Sequence, residues 1–421
     1  MRWLRGKAFR VEDPAILVIL AGVCAALHVG KLSPALPVLR EALGVTLLQA
    51  GFLLSLVQFA GMALGLAVGL AADGLGLKRS MVVGLLVLFV ASSLGGLARD
   101  ANTLLILRAV EGFGFLLVSM PAPSLVRHLV QPHRVSAMLG LWGAYMPLGT
   151  ALALLCGPLV IASSSWQVWW WGLAGLTLLM AIWLWQFVPP DADRTAGHGS
   201  AMARVDDSGP VAGDSWTQRL RQTLTSRGPW LVALSFAVYS GQWLAVIGFL
   251  PTIYTQAGLE GGITAVMTAL VAAVNMIGNI ASGRLLARGI APQRLLYTGF
   301  AVMGVGGVIA FASLGQSEGL ILWPTVQFVA ILLFSMVGGV IPGTLYSLAV
   351  RLAPGERTVS TTVGWMQQWA ATGQFAGPPA VAWVAGIAGN WQWTWLVTGG
   401  CALTGLALAV QIQRLLTMQA R

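Results

Sequence analysis

Four ionisable residues stand inside long apolar stretches, in two pairs at helical spacing. His28 and Lys31 lie three apart in a run from 14 to 38, and Arg108 and Glu111 lie three apart in a run from 102 to 125. On a helix each pair shares one face. An ionisable side chain at the centre of a lipid-embedded helix costs about 2.5 to 3.5 kcal/mol to insert, so each is expected to face protein or water and to have a purpose. The chemistry on offer is anion recognition and proton movement. Arg108 presents a planar fork suited to a carboxylate, and Lys31 a less directional point charge. Glu111 and His28 are the groups that would carry a proton. Each also has a structural reading: Lys31 can snorkel to the headgroups, Arg108 can form a fixed ion pair with Glu111, and a buried histidine is more often a satisfied core residue than a proton carrier.

Elements long enough to hold such residues in a bilayer are abundant. The chain is 57% hydrophobic and only 9% charged, against roughly 25% charged residues in a soluble domain. A run of about 20 apolar residues spans a bilayer. Twelve such runs follow one another, near 14 to 38, 46 to 72, 80 to 97, 102 to 125, 136 to 161, 167 to 188, 229 to 255, 262 to 284, 295 to 314, 319 to 350, 359 to 386 and 392 to 413. At about 1.5 Å per residue, Lys31 lies roughly 10 Å from the outer end of the first run, and Arg108 and Glu111 roughly 9 and 13 Å from the outer end of the fourth. Their depths coincide.

The net charge of +10 does not point to nucleic acid, because of where the basic residues fall. With both termini cytoplasmic, 20 of the 24 Lys and Arg lie in cytoplasmic segments, Arg40 and Arg99 lie outside, and Lys31 and Arg108 lie within the membrane. That asymmetry sets the orientation and predicts a multi-pass protein of the inner or plasma membrane. The opening MRWLRGKAFR has the charge of a secretory signal, but the run after it is longer than a signal's apolar core. Cys24, Cys156 and Cys401 all fall in apolar runs, so they read as packing residues, without disulfide or metal-ligand spacing.

Residues 189 to 228 are polar and rich in Gly, Ser, Asp and Arg, the composition of a cytoplasmic linker, and Trp216 to Leu224 within them reads as an amphipathic surface helix. The expected division is a six-helix bundle over 1–188, the linker over 189–228 and a second six-helix bundle over 229–421. The halves are related: Leu36, Pro37, Gly44 and Gly69 recur 214 positions later as Leu250, Pro251, Gly258 and Gly283.

Between the second and third runs stands GLAADGLGLKR, Gly69 to Arg79. Gly61, Gly65 and Gly69 form a small-residue stripe for close helix packing, Asp73 ends the run, Gly76 permits a tight reversal, and Lys78 and Arg79 supply cytoplasmic charge. This stretch resembles the signature between helices 2 and 3 of the major facilitator superfamily, matched at Gly69, Asp73, Gly76, Lys78 and Arg79. LRAVEGFG, Leu107 to Gly114, is similar to the same family's motif on helix 4. LSPALPVLREALGV, PSLVRHLVQPHRVSAMLGLWGA and GFLPTIYTQAG look like the cyanate and nitroimidazole transporter branch.

The resemblance implies an all-α membrane protein of twelve helices in two pseudo-symmetric halves that rock about a central site lined by helices 1, 4, 7 and 10. It assigns Gly69, Asp73, Gly76, Lys78 and Arg79 to a cytoplasmic gate. Substrate contacts are expected from Lys31, Arg108 and His28 in the first half, and from Tyr239, Gln242 and Gln368 in the second, which offers hydrogen bonds without embedded acid. Glu111 and His28 are the expected proton carriers. GAYMPLGT, Gly143 to Thr150, lacks the glycine before proline found in the family's antiporters, which weighs against drug export. With no phosphate-binding loop, no His or Cys cluster and no nucleophile constellation, neither a nucleotide-driven pump, an intramembrane enzyme nor a cofactor is expected. The expected function is secondary active transport of a small anionic solute by a monomer in the bilayer, with protons as candidate coupling ion. An exporter of lipophilic compounds, a passive channel and a non-transporting sensor are the alternatives.

The repeat places Ala287 opposite Asp73, so only one half carries the gate carboxylate. Asp73→Ala should slow transport cycling while leaving ligand binding largely intact, and Ala287→Asp should change little. Native transport rates in Asp73→Ala vesicles would remove the gate role.

Overall fold

The computed structural model describes residues 13–131, 134, 138–139, 141–191, 216–259, 261–312, 323–355 and 358–419, with backbone only at 68–75, 216 and 323. Among the described residues there is no strand. The first crossings are α1 (Pro14–Gly30) continued by α2 (Leu36–Leu43), α3 (Leu47–Ser55) continued by α4 (Phe59–Leu75), α5 (Leu77–Gly95), α6 (Ala101–Ser119) continued by α7 (Ala122–Leu129), α8 (Tyr145–Ser163) and α9 (Trp166–Phe187). A short α10 (Trp216–Thr225) precedes α11 (Arg227–Gln256), α12 (Gly261–Ala287), α13 (Pro292–Phe311), α14 (Trp323–Gly338) continued by α15 (Val340–Arg351), α16 (Val359–Ala388) and α17 (Thr394–Gln419).

These make twelve membrane crossings in two six-helix halves. Eleven are long and apolar enough to span on composition alone. The remaining one, α16, is 30 residues long and carries Gln367, Gln368 and Gln374, which lower its hydropathy. The breaks have local causes. Pro34 and Pro37 stand where α1 passes through a 3-10 turn into α2, and Pro121 stands between α6 and α7. The repeat is visible in the backbone, because Gly44 and Gly258 end corresponding helices with φ of 63° and 81°, a left-handed conformation that suits glycine.

Several boundaries differ from those expected. The third crossing begins at Leu77 rather than near 80, because Asp191 caps α5: its Oδ1 accepts from the Lys78 N–H at 3.1 Å and its Oδ2 from the Arg79 N–H at 3.2 Å. The seventh begins at Arg227 rather than 229. The fifth was expected from 136, yet its unbroken helix begins at Tyr145, after a turn at Gly143 and Ala144.

Close approach of backbones joins the crossings. On α16, a Cβ at Gly373 would lie 2.0 Å from the Ala237 carbonyl oxygen of α11, and one at Gly377 would lie 2.2 Å from that of Gly241. The same helix packs across the two halves onto α3 and α4, where Gly51 meets Pro379 and Gly61 meets Ala371. Such contacts trade side-chain volume for dispersion and weak backbone contacts in a solvent where apolar burial alone drives little association. Gly373→Val should therefore destabilise by about 3 kcal/mol or abolish folding. Gly386→Val, on the same helix where a Cβ meets nothing within 4 Å, should be tolerated. Melting temperatures in detergent test the pair; equal losses would refute the packing account.

Candidate functional site

His28, Lys31, Arg108 and Glu111 come together in a single cluster inside the first half. All four are at most 1% exposed. Lys31, just past the end of α1, uses its three ammonium donors on Glu111 Oε1, Ser92 Oγ at 2.9 Å and His28 Nδ1 at 3.3 Å, and lies 4.8 Å from the centre of the Trp170 ring. Arg108 Nη1 donates to Glu111 Oε2 and, at 2.8 Å, to the His28 carbonyl, while its Nε donates to the Leu53 carbonyl at 3.0 Å. One carboxylate thus counters two cations. The side-chain partners within the cluster belong to α1, α5, α6 and α9, so Lys31 does not snorkel and the cluster is a core element of the first half.

The bond pattern assigns the state of His28. Thr177 donates its hydroxyl proton to the Leu173 carbonyl at 2.7 Å, so the 2.7 Å contact to His28 Nε2 has the ring as donor. Nδ1 is then the lone pair that accepts from Lys31, and the imidazole is neutral. A second ring proton would set one N–H against another.

The second-half candidates sit apart from this cluster. Tyr239 is bonded to Asn275 of α12, whose amide also donates to the Ser335 carbonyl at 2.8 Å, and Trp243 donates to Ser335 Oγ at 3.1 Å. Gln242 is fully buried with both amide atoms unpartnered. Gln368 straps α16 to α4: its Nε2 donates to the Met62 carbonyl at 2.8 Å and its Oε1 accepts from the Leu66 N–H at 3.1 Å. In this state both of its amide atoms hold helix to helix.

Of the residues expected to form a gate, the side-chain surroundings of Asp73 and Gly69 lie outside the described residues. Gly76, with φ of 84°, makes the reversal, and a Cβ there would lie 2.5 Å from Asp191 Oδ2. Lys78 is buried rather than solvated. Its ammonium donates to the Trp185 carbonyl at 2.7 Å and to that of Val188, neutralising the end of α9.

Sequence reading missed Ser92, Thr177, Trp170, Asn275, Ser335 and Asp191. Asn275 stood out as an amide in an apolar run and could have been found. Hydroxyls and tryptophans are too common in membrane helices to signal a role, and Asp191 reads as ordinary linker.

Charge balance makes a prediction. Removing the only acid leaves two cations facing each other in a dry site, whereas removing Lys31 leaves the neutral Arg108 and Glu111 pair. Glu111→Gln should cost about 3 to 5 kcal/mol of stability, and Lys31→Met clearly less. Comparable drops in melting temperature would show that net charge does not govern the cluster.

A family model for the Major Facilitator Superfamily matches residues 18–371. The chain is 26% identical over 71% of its length to solute carrier family 2, facilitated glucose transporter member 10, of Homo sapiens, and spans 57% of that relative. It is 21% identical to the hexuronate transporter of Bacillus subtilis (strain 168), covering 95% of this chain and 94% of the relative. It is 24% identical to the cyanate transport protein CynX of Escherichia coli (strain K12), over 60% and 62%. A crystal structure of a bacterial homolog to the human lysosomal transporter Spinster, in inward-facing and occupied conformation, shares the fold with a TM-score of 0.74 at 14% identity, over 97% of this chain and 98% of that one. With the twelve crossings, the repeated half and the matched motifs, the chain belongs to the Major Facilitator Superfamily and is a multi-pass membrane transporter, not an enzyme.

Proposed function

We propose that this transporter moves a small anionic solute by alternating access, with protons as the coupling ion, in the inner membrane with both termini cytoplasmic. The bundles over 1–188 and 229–421 are the moving halves, joined by the linker over 189–228. The observation that carries the anion reading is the unbalanced cluster. Lys31 and Arg108 contribute two positive charges and Glu111 one negative, and Arg108 Nη2 is buried without a partner. An uncompensated cation in a low-dielectric site is unfavourable until an anion approaches it. Opening between the halves that exposes Arg108 would offer that spare donor to a carboxylate or cyanate-like group. The names of the hexuronate and cyanate relatives supply the same charge class.

Proton coupling follows from the shared carboxylate. Protonating Glu111 breaks its hold on both cations and raises the local positive charge, which favours anion entry; its release resets the pair. His28, held neutral by Lys31 and Thr177, would take a proton only after Lys31 moves.

Two measurements test this reading. D-glucuronate and cyanate should raise the melting temperature of purified protein, glucose and lipophilic drugs should not, and Arg108→Gln should weaken the anion effect about tenfold in concentration, the worth of one charge-assisted hydrogen bond. In proteoliposomes, Glu111→Gln should keep solute counterflow and lose accumulation driven by a pH gradient. Stabilisation by lipophilic drugs alone would favour an exporter instead, and pH-driven uptake that survives in Glu111→Gln and in His28→Gln would remove both residues from coupling.

A further inference from the structure

At the face opposite the termini, a groove of about 450 Å³ runs between α2, from the first half, and the end of α11, from the second. Its walls include Arg40, Glu41 and Gly44 on one side and Thr252, Thr255 and Gln256 on the other. Thr252, Thr255 and Gln256 fall at i, i+3 and i+4, hence on one helical face.

Two of the residues that line this groove, one from each half, each carry a buried polar atom without a partner. The Arg40 Nε–H has no acceptor, and the Thr252 hydroxyl has none although the residue is only 3% exposed. Leaving a buried donor unmade costs about 1 to 3 kcal/mol, and more when the group is charged. Gln256 is oriented by Trp391, whose indole N–H donates to Oε1 at 2.7 Å, which leaves the amide N–H groups as donors beside the groove. Glu41 stands exposed at the rim as an acceptor.

From this arrangement we infer a second ligand site, separate from the buried cluster, that takes a small carboxylate bearing hydroxyl groups. The carboxylate satisfies Arg40 Nε–H and the Thr252 hydroxyl, and the hydroxyls reach Glu41, Thr255 and the Gln256 amide. The occupant touches both halves, so it holds this face closed and acts as a brake on opening. A neutral sugar lacks the partner for Arg40, and a bare carboxylate such as acetate lacks partners for Glu41 and Gln256.

The test uses full-length protein in nanodiscs, with Cys24, Cys156 and Cys401 replaced by serine or alanine and Thr255→Cys as the reporter. D-glucuronate should slow maleimide labelling of the reporter several-fold, and glucose and acetate should not. Arg40→Gln and Thr252→Val should each raise the half-protecting concentration about tenfold, the loss of one hydrogen bond to a charged group. Arg40→Lys, which keeps the charge without the Nε donor, should do the same in a protein whose fold is least disturbed. Arg108→Gln should leave protection unchanged, so this site and the transport reading succeed or fail separately. Labelling indifferent to glucuronate, protection surviving in both Arg40→Gln and Thr252→Val, or protection lost with Arg108→Gln would each overturn the inference; the first means that water alone fills the groove.

Discussion

Charge in the dry interior of a helical bundle has few stable arrangements, and the one found here ties most of the first half together. Glu111 accepts from Lys31 and Arg108 at once, so none of the three can move without exposing a bare charge to its neighbours. Of the other donors, one each goes to the backbone carbonyls of His28 and Leu53, the Ser92 hydroxyl and His28 Nδ1, and Arg108 Nη2 alone in the cluster is left without a partner. The carbonyl at Leu53 lies near the end of α3, where the chain tightens into a 3-10 turn. The irregular backbone of one crossing is thereby satisfied by the charge of another, as membrane burial demands.

The second half has a different economy of polar groups. Among its described residues no buried acid or base appears, and neutral hydrogen bonds link α11, α12 and α14 through Tyr239, Asn275 and Ser335. Glycines bring α11 and α16 into backbone contact, and α16 in turn reaches across to α3 and α4. Close backbone contacts occur in both bundles, as where a Cβ at Gly84 would lie 2.6 Å from the Gly114 carbonyl oxygen, whereas among the described residues buried charge occurs only in the first. Two halves built in this way suit the proposed mechanism, in which they rock against each other.

Where α9 ends and α5 begins, the basic pair of the loop signature has two uses. Lys78 turns inward to the carbonyls that end α9, and the carboxylate of Asp191 returns from beyond α9 to cap α5. The third and sixth crossings are therefore clamped reciprocally, cation to helix C-terminus and anion to helix N-terminus, each in the sense that the helix dipole favours.

Much was already determined by sequence alone. Hydropathy and the glycine, aspartate and basic positions from Gly69 to Arg79 were sufficient for the family, the twelve crossings and the two related halves, because bilayer thickness and backbone hydrogen bonding leave few alternatives to long apolar helices. Helical spacing also paired His28 with Lys31 and Arg108 with Glu111, and rise per residue placed them at one depth. Which way those side chains turn was a tertiary decision. Spacing identifies a shared face but not the neighbour it meets, and here the neighbours are Ser92, Thr177 and Trp170 from helices far along the chain. The same limit applies to Gln368, whose strap to α4 joins residues about 300 positions apart, and to Arg40 and Thr252, which become one groove only when the two halves meet. A one-dimensional pattern records the cost of burying each polar group; only the packed structure decides which group, if any, relieves it.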